Sequence, residues 1–180
     1  LMFAKQADDR EQIVQTYINR SELFLRRGET DSALSTLETA RTQISEEGDS
    51  PVYSILFHNL GTLYARRGEF DRARSELQAA LAINERTKTW AELASNYYML
   101  ASISSRQKRY NEAIDHGHKA LEYDKKAENS PGIDADLHAL GVMYRKNGDD
   151  DTAYRYLLRS LRVYLTLNAV NRSLELLNEL

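Results

Sequence analysis

A row of cations recurs along the chain at a spacing of 40 residues: Arg26, Arg66, Arg106 and Lys146. A guanidinium presents a fork of donors that matches a carboxylate, and an ammonium presents a point charge. The chemistry open to such a row is the binding of acidic side chains or a terminal carboxylate of a bound peptide. A basic residue in the last turn of a helix is also favoured by the helix dipole alone, by about 0.3–1 kcal/mol, so the row has a structural explanation beside the functional one. Asn19 and Asn59 recur at the same interval. An amide offers both donor and acceptor and can pair with the backbone of an extended peptide, although a solvated asparagine has the same signature.

The remaining candidates point away from metal and catalytic chemistry. His58 and His138 stand 80 residues apart; if they lie two repeats apart on helices spaced by about 8–10 Å, they cannot share an ion. His116 and His118 are two apart and face different ways on a helix. The run Asp149-Asp150-Asp151 lacks the alternating ligands of an EF-hand loop, and acids leading into a helix are explained by its dipole. There is no glycine-rich phosphate loop and no nucleophile elbow. With no cysteine, disulfides and thiol chemistry are excluded. The expectation is a chain without cofactor, metal or catalytic residues.

The elements that carry these residues are helices in a strict repeat. The stretch 57–81 matches the chain again 40 residues in either direction, and once more 40 further on, without insertion or deletion. A fixed period of this kind marks a solenoid, in which each unit contacts only its neighbours. Within one unit, Val52, Ile55, Leu56, Leu60, Leu63 and Tyr64 recur at three and four and form an apolar stripe on a helix, here named A. Ser50-Pro51 and Ser130-Pro131 supply an N-cap serine and a first-turn proline for two such helices. Gly28, Gly68 and Gly148 end three A helices, and Lys108 replaces glycine in the remaining unit. A second helix, B, is expected to start with Asp31, Asp71, Asn111 and Asp151 as N-caps. Small residues at 21, 61, 101 and 141 and at 33, 73, 113 and 153 predict a close crossing of A and B, with Phe24, Tyr64 and Tyr144 filling space beside it. Gly117 stands mid-helix where the other units have leucine, so a local weak point that bends or opens the array is expected there.

These boundaries divide the chain into repeats at 14–53, 54–93, 94–133 and 134–173. Residues 1–13 read as the end of a preceding helix B and a linker, and 174–180 as the start of a further helix A. Leu174, Leu176, Leu177 and Leu180 form an apolar stripe that a solenoid would normally cover. The expectation is a piece of a longer array, with a final helix that frays or packs on another molecule, and with possible self-association through apolar ends.

The units resemble the tetratricopeptide repeat. Phe57, Leu60, Gly61, Tyr64, Gly68, Ala73, Leu77 and Ala80 fill that family's pattern in one unit, and Leu137, Leu140, Gly141, Tyr144, Gly148, Ala153, Leu157 and Ser160 in another. The first unit departs at Arg20-Ser21, and the third at Ser104, Lys108 and Gly117. The period is longer than the family's usual 34 or so and falls near the HEAT and armadillo range of about 40–47, but the Gly-x-x-Tyr and alanine spacing favours the tetratricopeptide pattern.

The resemblance implies an all-α, right-handed superhelical solenoid of antiparallel helix pairs, with helix A lining a concave groove. It places four rows of residues in that groove. The first is Ile18, His58, Tyr98 and His138, and the second Asn19, Asn59, Met99 and Ala139. The third is Glu22, Thr62, Ser102 and Val142, and the fourth is the cationic row. The peptide-binding candidates are accordingly Asn19, Arg26, His58, Asn59, Thr62, Arg66, Tyr98, Ser102, Arg106, His138 and Lys146.

The function expected is a scaffold that binds a peptide segment of a protein partner in the groove. The alternatives are an architectural or self-associating array, and the sensor half of a larger regulator. A net charge of −3 argues against nucleic acid and anionic membranes as partners, and no apolar run approaches a membrane span. A cytoplasmic location is expected, with the periplasm as the alternative.

Overall fold

The computed structural model describes residues 2–44 and 50–167. Among them are eight helices and no strand: α1 (Met2–Arg26), α2 (Thr30–Arg41), α3 (Pro51–Arg67), α4 (Phe70–Thr87), α5 (Trp90–Arg106), α6 (Tyr110–Lys126), α7 (Ser130–Lys146) and α8 (Asp150–Thr166). None of these is long and apolar enough to cross a membrane. The fold is an all-α repeat of helix pairs, and the chain divides into two compact units, Leu1–Lys88 and Thr89–Leu180.

Each A-to-B turn is built on one residue in the left-handed conformation. Gly28, Gly68 and Gly148 adopt φ of 77°, 81° and 87°. The following amide reaches back to close the helix: Glu29 N–H to Phe24 O, Glu69 N–H to Tyr64 O and Asp149 N–H to Tyr144 O, at 2.9, 2.9 and 3.0 Å. Lys108 keeps the same turn at φ 61°, with Arg109 N–H bonded to Ser104 O at 2.9 Å. A side chain there accepts strain that glycine avoids. Glu128 does likewise at φ 54° after α6.

This tight turn shifts the start of helix B two residues earlier than the sequence suggested. The first helical bonds run from Ala33, Ala73, Ala113 and Ala153 N–H to the carbonyls of residues 29, 69, 109 and 149. The caps are therefore Glu29, Glu69, Arg109 and Asp149, of which only Asp149 caps with its side chain, accepting from Thr152 N–H at 3.0 Å. Asp31, Asp71, Asn111 and Asp151 instead sit in the first turn, where the acids among them act on the dipole rather than as caps. Ser50 caps α3 as expected, accepting from Val52 N–H at 3.2 Å. For α7 the cap is Asn129, which accepts from Gly132 N–H, and Ser130 is already helical.

The small-residue pattern does what its spacing requires. A Cβ built on Gly61 would lie 2.8 Å from Leu77 Cγ and 3.2 Å from the Ala73 carbonyl; on Gly141 it would lie 2.7 Å from Leu157 Cγ and 3.2 Å from the Ala153 carbonyl. The missing side chains are what let α3 meet α4, and α7 meet α8, so closely. In α6 the arrangement differs, and no empty slot appears at Gly117. Its place is taken by Leu140 of α7, whose Cδ2 lies 2.9 Å from where a Cβ would stand, with Met143 Sδ at 3.7 Å. The core of this region joins Ala101, Ala113, Ile114, Leu121, Leu137, Leu140 and Met143.

The aromatic at the A-helix position ties neighbouring repeats together. Tyr64 is buried and donates to Glu38 Oε1 at 2.5 Å, with the Arg72 guanidinium 4.3 Å from its ring centre. Burial and then the Glu38 bond push the Tyr64 phenol up to about 12. Tyr144 is half-buried in the same place one pair of repeats later. It meets His118 Nε2 at 3.0 Å and stacks on Tyr156 at 5.3 Å.

The first helix runs unbroken from Met2 to Arg26, through the residues read as a helix end and linker. The stripe at Leu174, Leu176, Leu177 and Leu180, and the fraying expected of it, lie outside the described residues.

Candidate functional site

In the first unit, the candidates lie on α1 and α3. Ile18 is 1% exposed and belongs to the core rather than to an open face. Asn19, one residue on, is exposed and accepts from Gln15 Nε2 at 2.8 Å, a bond along its own helix. Arg26 and Arg66 are exposed, and His58, Asn59 and Thr62 are half-buried. The Thr62 hydroxyl oxygen is buried without a hydrogen-bond partner.

In the second unit, Tyr98, Ser102 and Arg106 follow one another at i, i+4 and i+8 along α5 and so share one face. His138 and Lys146 keep the same interval on α7. Tyr98 is 39% exposed, Ser102 and His138 are half-buried, and Arg106 and Lys146 are exposed. Tyr98 alone among the candidates lines a described cavity. That cavity, of about 190 Å³, is formed by Tyr98 and Ser95 of α5, Asp124 of α6, Asn129 in the turn, and Gly132 and Asp136 of α7, with Ala91, Ala94 and Ala135 as apolar walls.

The two carboxylates were not among the candidates from sequence, and they dominate the cavity. Asp124 and Asp136 are 5% and 2% exposed. Asp124 accepts from Asn129 Nδ2 at 2.8 Å. Asp136 Oδ2 is buried and meets no amide, hydroxyl or cationic donor, and the Asp136 carboxyl bonds instead to that of Asp124. Burial, and then the neighbouring Asp124 charge, push the Asp136 carboxyl up to about 8. Burial also raises Asp124, against the lowering effect of Asn129 and of Asp136. The pair therefore holds a proton at neutral pH, as adjacent buried carboxyls do. Gly132 makes the arrangement possible: a Cβ there would fall 2.0 Å from Asp124 Oδ2.

A signal for this pair was present in the repeat alignment. Asp136 stands where the other units have Thr16, Leu56 and Asn96, of which Leu56 and Asn96 are buried. Asp124 stands over Asn84, also buried. An acid at a core position of the repeat is a conflict between pattern and chemistry, and such conflicts mark sites.

The first unit has a cavity in the same register, 80 residues earlier. It measures about 280 Å³ and is lined by Glu11, Gln12 and Gln15 of α1 and Val52 of α3. Val52 replaces Gly132, and Gln15 replaces Ser95. No cluster of three or more metal-ligating side chains is present among the described residues.

Comparison with known proteins places this architecture. No curated protein sequence matches the chain. Among solved structures, BtubC (BKLC) from P. vanneervenii superposes with a TM-score of 0.82 at 20% identity, over 90% of this chain and 67% of that one. The nearly identical TPR-like repeats of a putative kinesin light chain from Podosopora anserina give 0.71 at 19% identity, over 94% and 93%. A Rap protein complexed with competence and sporulation factor gives 0.72 at 15% identity, over 89% of this chain and 45% of that one. At these identities the likeness is one of fold. A tetratricopeptide repeat model matches residues 8–86 and 92–166, most of the chain. The chain belongs to the tetratricopeptide repeat family, whose helix-pair arrays are protein-interaction scaffolds.

Proposed function

We propose that this chain is an interaction scaffold that holds an extended segment of a protein partner along the exposed face of its A helices. The observation that carries the reading is the α5 face of the second unit. Tyr98, Ser102 and Arg106 line up there over two turns, beside a cavity that reaches α7. Such a face offers an aromatic platform, a hydroxyl and a cation within about 12 Å, from eight residues at 1.5 Å each. That span matches three or four residues of extended chain. Lys146 offers a cation on α7 of the same unit, and in the first unit Asn19, Arg26, Asn59 and Arg66 offer similar chemistry on α1 and α3. The Rap protein among the structural relatives is described as a complex with competence and sporulation factor, which supports ligand capture as a use of this fold.

The test is comparative affinity capture with a photo-crosslinking residue in place of Ser102. The chain is compared with a variant carrying Arg26→Glu, Arg66→Glu and Arg106→Glu. A partner crosslinked at position 102 and lost in the triple variant is expected. Capture of the same proteins by both, with no crosslink at 102, would move binding off this face and overturn the reading.

A further inference from the structure

The cavity between α5, α6 and α7 carries more information about its ligand than the exposed rows do. Its floor is two buried carboxylates, and among the described residues the charge that acts on Asp136 is that of Asp124. Among the described residues no basic side chain offsets the charge of either acid. Asp124 lies in the last turn of α6, where helix carbonyls add further negative potential. Asp136 is 2% exposed, its Oδ2 meets no amide, hydroxyl or cationic donor, and the one side chain bonded to its carboxyl is Asp124, another acid. A buried acid pair of this kind is costly unless something neutralises it. Elsewhere in the molecule the buried carboxylates have partners: Glu76 is met by Arg41 at 2.5 Å, and Asp134 by Ser160 Oγ.

We propose that this cavity is a subsite for a basic side chain, the lysine ammonium or arginine guanidinium of a partner segment lying on the α5 face. The proposal rests on the scaffold reading above and names the chemistry of one residue of the bound segment. The cavity is smaller than a usual small-molecule site of about 300–1,000 Å³ and has room for one long side chain. The alanine walls take the aliphatic stem. Asp136 Oδ2 and the Asp124 carboxylate accept the charged head, and the Tyr98 ring at the exposed edge offers a cation–π face. Gly132 keeps the acids reachable. The corresponding cavity of the first unit, with Val52 and the buried Leu56 in place of Gly132 and Asp136, lacks this floor.

Entry of a cation favours the doubly ionised pair, so the proton shared by Asp124 and Asp136 leaves as the ligand binds. Binding therefore tightens as pH rises towards 8. Among the residues that line the cavity from α5, α6 and α7, the titratable groups are the two acids and the Tyr98 phenol.

The test uses the whole chain, isotope-labelled, with amide shifts followed at residues 95–98 and 132–136. The probes are N-acetyl-lysine methylamide, N-acetyl-arginine methylamide and the norleucine equivalent. The two cationic probes are expected to give saturable shifts there and the norleucine probe none. Asp136→Asn, which keeps the shape, should weaken the cations by roughly tenfold or more while the circular dichroism spectrum stays unchanged. Equal shifts with norleucine, no saturable shift with either cation, or unaltered binding in Asp136→Asn would each overturn the proposal. Butylammonium carries the cation without a peptide backbone and should bind more weakly than blocked lysine; equal binding would assign the site to free amines rather than a partner's side chain. Because the Arg26, Arg66 and Arg106 variant leaves the two acids in place, its capture result is independent. Partner loss there with no lysine binding here would sink this inference and leave the scaffold reading standing.

Discussion

Two cavities occupy the same place in the repeat and are built to opposite chemistries. In the first unit the register positions are Val52 and Leu56, and the polar groups Glu11, Gln12 and Gln15 come from the neighbouring helix. In the second unit those register positions are Gly132 and Asp136, with Asp124 joining from the preceding helix and alanines on the walls. The backbone is the same because its determinants are the same: a left-handed turn residue, a small residue at each close crossing, and a leucine or its substitute between the helices. The side chains differ because the repeat pattern constrains only what those crossings need. A solenoid can thus repeat its architecture while placing a unique charge cluster in one unit.

If the comparison is right, exchanging single residues between the cavities should expose it. The largest effect is expected from Leu56→Asp. Leu56 is wholly buried, and among the described residues of the first unit no acid-pairing glycine cavity surrounds it. A lone carboxylate there should cost about 4 kcal/mol or more, read by urea denaturation. A cost under about 1 kcal/mol would mean that the first cavity tolerates charge and that the two are not distinct in kind.

Removing the charge from the second cavity with Asp136→Asn should stabilise the chain at neutral pH by about 1–3 kcal/mol, because it removes a buried ionisable pair. The sign follows from the direction of the shift. The folded chain keeps a proton on Asp136 up to about pH 8, whereas the unfolded chain gives it up near the ordinary value of 3.8. Stability from this group is complete below about 3.8 and is lost as pH rises towards 8, at no more than about 1.4 kcal/mol per pH unit. His118 works in the other direction. Burial lowers its pKa, so its contribution is lost as pH falls below the unfolded value of 6.5. The window from pH 6.5 to 8 isolates the acid pair. The wild type should lose stability across that window while Asp136→Asn stays nearly flat. Parallel curves would show that the pair does not hold a proton.

The smallest expected effect sharpens the comparison from the side of the backbone. Lys108 occupies the left-handed position that Gly28, Gly68 and Gly148 hold in the other turns. Lys108→Gly should stabilise by about 1 kcal/mol, measured as a rise in melting temperature. A loss of stability would mean that the third turn relies on its side chain and is not equivalent to the others.

The helices, their pairing and the A-to-B turns were legible in the sequence because each depends on neighbours within a few residues. Gly68 and Ala73 announce a turn and a close crossing wherever they recur. The caps were less legible, since Asp71 in the first turn and Glu69 at the cap differ by a choice of hydrogen bond that composition does not reveal. How the space at Gly117 is filled was not legible, because the side chain that takes its place, Leu140, comes from the next helix. Ile18 was assigned by resemblance to an open face, and packing put it in the core.

The sequence by itself determined a period, and with it a stack of helix pairs, because hydrophobic stripes and small residues repeat through the local geometry of the helix. Only the tertiary structure decided that Asp124 and Asp136, on different helices and twelve residues apart, share one cavity with Tyr98. That meeting depends on how α5, α6 and α7 pack. Burial in turn gives an ordinary carboxyl the unusual affinity for a proton that marks the site.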